Sequence, residues 1–95
     1  MERTLRGMLE QELDSLIKLE TLEKTNQWFG LLTPMHTKED ALFGFVVGAL
    51  FSRFLSIMEM EYRREPNDNE LKEFFEIIER RTIDIKSQIK LALSK

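Results

Sequence analysis

Between Ala41 and Met58 the chain carries a single charge, Arg53, and reads apolar on nearly every side of a helix. Such a segment has to be enclosed by other helices of its own chain, by a second copy, or by lipid. Plotted at about 100° per residue, it separates into a small face, Ala41, Gly44, Gly48, Ser52 and Ser56, and a bulky face, Phe43, Val47, Leu50, Phe51, Phe54 and Met58. Small residues let two backbones approach closely, whereas bulky ones fill a core. The small face is therefore expected to be a helix crossing, inside the chain or between two copies, with Gly44 and Gly48 as packing residues and not as a phosphate cradle.

The rest of the chain decides between these enclosures. Ninety-five residues with 42% hydrophobic content suffice for one domain with one core. Four Gly, two Pro and 33% charged residues leave little material for the turns of a β fold. The expected class is all-α. A net charge of -3 argues against general affinity for phosphate backbones, so no nucleic-acid partner is expected. With no cysteine there is neither a disulfide framework nor a thiolate site. The opening Met-Glu-Arg-Thr-Leu-Arg-Gly leads into an amphipathic segment and not a secretory signal, so the expected location is cytoplasmic. Insertion of the 41–58 segment in a bilayer would bury Arg53 at a cost of about 2.5 to 3.5 kcal/mol. No membrane partner is expected.

Three helices are predicted. The apolar residues Leu5, Leu9, Leu13, Leu16, Leu19 and Leu22 recur at steps of three and four, giving helix one over about 4–28. Gly30 can end a helix in the left-handed conformation, and Thr33-Pro34 bars continuation, so 29–36 is read as a turn. Its apolar content, with Trp28, Phe29, Leu31, Leu32 and Met35, suggests a lid over one end of the core. Thr37 with Asp40 three residues later resembles a capping box opening helix two, about 38–64. Asn67 with Glu70 opens helix three, about 68–93, whose seam is Leu71, Phe75, Ile78, Thr82, Ile85, Ile89 and Ala92, with Phe74 widening one end. Ile77, Ile83 and Leu91 fall off that seam. An antiparallel three-helix unit cannot cover a central helix that is apolar on two faces. Assembly into a dimeric or larger helical bundle is expected.

Few residues suggest chemistry. Arg53 lies among apolar neighbours, and Glu12 and Glu20 lie beside the stripe of helix one, so a buried ion pair of Arg53 with Glu12 or Glu20 is expected to fix helix register. Glu20-x-x-Glu23 resembles half of the metal motif of the all-α nucleoside triphosphate pyrophosphohydrolases of the MazG type. That resemblance implies a small metal-dependent hydrolase in which Glu20, Glu23 and Glu59 hold Mg²⁺. The motif's second half, a Glu followed three residues later by Asp, is missing: Leu42 follows Glu39 at that spacing, and Tyr62 follows Glu59. The single histidine, His36, rules out a ferritin-like pair of Glu-x-x-His motifs. Arg63-Arg64 and Arg80-Arg81 are mixed with Glu61, Glu65, Glu76 and Glu79, as solvated salt bridges would be. The reading that results is a non-catalytic interaction or scaffold module, without cofactor, that self-associates, most simply as a dimer, and acts through protein partners.

Overall fold

A computed structural model of the chain describes residues 1–32 and 37–94, except the side chains of 29–32. Four helices pack against one another: α1 (Arg3–Leu16), α2 (Leu19–Leu32), α3 (Lys38–Ile57) and α4 (Asp68–Leu93). A π-helical turn, Met58–Tyr62, prolongs α3. Strands are absent from the described residues.

The expected continuous first helix is divided at Ile17 and Lys18. Its geometry requires this. Leu5, Leu9, Leu13 and Ile17 follow at steps of four, and each step rotates the line by about 40°. In an unbroken helix Leu22, nine positions past Leu13, would point roughly 180° away from it, yet both are fully buried. The break returns Leu22 to the core. The amide of Ile17 still bonds the carbonyl of Leu13, and the side chain of Gln88 on α4 donates to the carbonyl of Ile17 at 3.0 Å. Beyond the break α2 runs through Gly30 to Leu32, so the expected turn is helical over its first four residues. Thr33, Pro34, Met35 and His36 lie outside the described residues. Trp28 stands on α2 and is exposed, and the other side chains of the expected lid, Phe29, Leu31, Leu32 and Met35, lie outside the described residues.

Directions follow from cross-helix bonds. Arg81 reaches Glu10 and Gln88 reaches Ile17, each across 71 residues, so α1 and α4 run parallel. Glu12 pairs with Arg53 and Glu2 with Tyr62, which sets α3 antiparallel to α1. Phe54 stacks on Phe74 while Lys86 covers the ring of Phe43, making α3 antiparallel to α4 as well. The remaining helix, α2, lies on α4 and, less extensively, on α3.

The core joins all four helices. From α3 it takes Leu42, Val46, Leu50 and Phe54, and from the π turn Met58, all fully buried. Phe43, Val47 and Phe51, expected at its centre, are only half-buried along its margin. On α4 the core residues are Phe74, Ile77, Ile78, Ile85, Ile89 and Ala92. The expected seam is thus shifted at its start, with Phe74 and Ile77 inside and Phe75 about half exposed. Phe74 stacks on Phe54 at 5.1 Å and meets Phe51 and Phe75 edge-on at 5.4 and 5.2 Å. Thr82, at a seam position, turns its hydroxyl back to the carbonyl of Ile78.

The two anticipated capping boxes fare differently. At Thr37 no side-chain bond forms. At Asn67 the box is complete, with Asn67 Oδ1 accepting from the Glu70 amide at 2.8 Å and Glu70 Oε1 accepting from the Asn67 amide at 2.9 Å. Arg64 adds a two-pronged bond to the same carboxylate, at 2.7 and 3.0 Å.

Candidate interaction surface

The core line of α3, from Leu42 to Met58 at steps of four, uses one side of the helix. The opposite side faces outward. Gly44, Phe45, Gly48, Ser52, Leu55, Ser56 and Glu59 are exposed there, and Ala41 is half-buried at its edge. A Cβ added to Gly44 or Gly48 would meet no atom within 4 Å. Among the described residues the small residues are therefore not a helix crossing; they form a smooth outward strip bordered by Phe45 and Leu55.

This strip belongs to an unusually apolar helix. Lys38–Tyr62 is long and apolar enough to cross a membrane, and only 28% of its most apolar stretch is buried by the rest of the chain. A central helix of a self-contained bundle is covered on most sides. Further apolar side chains project from other helices, Ile83, Leu91 and Phe75 on α4 and Met60 on the π turn. Ile77, counted with the off-seam residues in the sequence, is buried instead.

The end of α3 is held firmly. The π turn closes at Arg63, whose φ of 56° is left-handed and stops the helix without a glycine. Tyr62 donates to the carboxylate of Glu2, and that bond raises the phenol's pKa above its ordinary value. The Arg64 guanidinium and the Asn67 amide hold the Glu70 carboxyl down at about 2. Beside this corner Leu55, Ser56, Met60, Arg64, Glu65 and Pro66 line an open hollow that continues the strip.

The candidate charges are arranged otherwise than a buried pair or a metal centre would be. Arg53 Nε lies 3.6 Å from Glu12 Oε2, but the two side chains are 65% and 39% exposed. Glu20 is exposed on α2 and is not the partner of Arg53. Arg53 escapes burial because it lies at the rim between α1 and α3, outside the line from Leu42 to Met58. Glu20 and Glu23 follow the break, whereas Glu59 lies beside Tyr62, which is bonded to Glu2 at the start of α1. The length of α1, roughly 20 Å, separates the two groups. No three acidic or histidine side chains among the described residues converge as metal ligands.

A polar cluster that the sequence did not single out ties α1 to α4. Arg81, with a side chain only 20% exposed, bonds Asp14 at 2.7 Å, Asp84 at 3.0 Å and Glu10 at 3.1 Å. The bond to Asp14 raises its pKa further. Only the Asp84 partner, three residues along the same helix, was open to sequence reasoning. Arg64 likewise pairs with the carboxylate of Glu70 in place of those of the expected neighbours Glu61 and Glu65, and meets Glu65 only at its main-chain carbonyl. Comparison with protein-family models, with curated proteins and with solved structures gave no match.

Proposed function

We propose that the chain is a non-catalytic helical interaction module that self-associates through the outer face of α3, and that any further protein partner binds the assembled form. One observation carries the reading. The most apolar helix is left open along a strip of Gly44, Gly48, Ser52 and Ser56, flanked by Phe45 and Leu55. Apolar surface in water favours burial at about 25 cal/mol per Å², and absent side chains allow close approach of a second backbone. The separation of Glu20 and Glu23 from Glu59 removes support from the hydrolase alternative.

Light scattering and sedimentation at micromolar concentration test the reading, with Gly48→Leu as the informative variant. Within one chain this substitution has open space and removes a helix-interior glycine, which costs about 0.8 to 1.0 kcal/mol relative to alanine. The variant should stay folded and lose association. A wild-type mass of 11.3 kDa at every concentration would sink the proposal. So would retention in membranes through salt and carbonate washes, since lipid would then be what covers α3.

A further inference from the structure

The outer face of α3 ends in two opposite charges. Lys38 stands in its first turn and Glu59 just beyond its last; both are exposed, and neither has an ion-pair partner among the described residues. Between them the outward positions Ala41, Phe45, Gly48, Ser52 and Leu55 alternate at steps of three and four. That alternation keeps a stripe straight along the helix, as lengthwise pairing with another helix requires.

We propose that the occupant of this stripe is α3 of a second copy, running antiparallel about a two-fold axis beside Gly48; the inference rests on the self-association reading above. Antiparallel pairing sets large against small: Leu55 faces the partner's Ala41, and the two Gly48 backbones cross where no Cβ intervenes. Lys38 meets the partner's Glu59 at both ends, so each unpaired charge finds its complement twice. Parallel pairing would place each Lys38 on its own copy and each Glu59 likewise. Like charges then coincide, which opposes that orientation. A two-fold pairing also uses the same patch on both subunits and therefore stops at two.

The chain contains no cysteine, so introduced ones report position without background. Mild oxidation of Gly48→Cys should give a covalent dimer. Lys38→Cys alone and Glu59→Cys alone should not, as each lies about 15 Å along the helix from the axis, whereas a mixture of those two variants should cross-link. Lys38→Glu or Glu59→Lys should each raise the dimer dissociation constant about tenfold, and the double reversal should restore it. Both residues are exposed, so loss of fold does not confuse the measurement. A dimer that cross-links through Lys38→Cys alone, or that the double reversal fails to rescue, overturns the antiparallel register while leaving self-association standing. A wild type that remains monomeric at all concentrations overturns both.

Discussion

The side-chain amide of Gln88 donates to the main-chain carbonyl of Ile17 at 3.0 Å, so a residue near the end of α4 holds the point at which the first helical segment breaks. Ile17 is buried, and its carbonyl has left the regular helical ladder. Leaving such an acceptor unmade costs about 1 to 3 kcal/mol. Gln88→Leu should lower unfolding stability by about 1 to 2 kcal/mol, and Gln88→Glu, similar in shape but without the donor, should lose as much. Unchanged denaturation midpoints in both would show that water satisfies the carbonyl.

Phe74 and Phe75 are adjacent but unequal. Phe74 is fully buried between Phe54 and Phe51, while Phe75 is about half exposed. Phe74→Ala should cost about 3 to 5 kcal/mol, and Phe75→Ala about 1 kcal/mol for its partial burial. Equal losses in urea denaturation would contradict the shifted seam.

Acid should loosen the corner between α3 and α4. Glu70 titrates near 2 in the folded protein against an ordinary 4.5, chiefly through its bond from Arg64 and secondly through the Asn67 amide. The unfolded chain therefore binds more protons than the folded one between those values, and stability falls with acidification across that window. Above about pH 5 the contribution is fully present. Glu70→Gln should flatten the dependence of thermal unfolding between pH 5 and 2, and Asn67→Ala should cost about 0.5 to 2 kcal/mol at neutral pH. An unaltered acid limb in Glu70→Gln would show that other carboxylates govern acid unfolding.

Arg53→Ala should change stability by no more than about 1 kcal/mol, because its pair with Glu12 is exposed on both sides. Salt titration of the wild type and of Arg53→Ala should then run parallel. A loss of several kcal/mol would mean that assembly encloses this pair.

Legibility from the sequence depended on how each helix handles spacing. On α4 the apolar residues alternate between three and four, and the Asn67 to Glu70 signal is local, so both bounds and much of the buried face could be read. On the first segment the stripe from Leu5 to Leu22 reads as one straight helix face, whereas the buried line runs in fours from Leu5 to Ile17 and drifts by about 40° per step. The side-chain bond that accompanies the break comes from Gln88, distant in sequence. The outward strip of α3 was recognisable as a small face. Its exposure was not, because it follows from which side Leu42, Val46 and Phe54 give to the core. Arg53 misled for the same reason: a rim and a core share the same apolar neighbours along the chain.

The π turn at Met58–Tyr62 amounts to an inserted residue, and the chain can therefore lose one there without losing its helix. Excision of Met60, which points outward, leaves Met58 in the core and lets α-helical geometry bring Tyr62 to nearly the same bearing toward Glu2. Deletions inside helices ordinarily scramble every residue beyond them. At this position the expected result is a shortened protein with unaltered helicity and the Glu2 to Tyr62 bond retained, whereas removal of Leu50 from the middle of α3 should abolish folding. The C-terminal end of α3 thus has tolerance to length change that its centre lacks, and variation in chain length among functional variants should concentrate there.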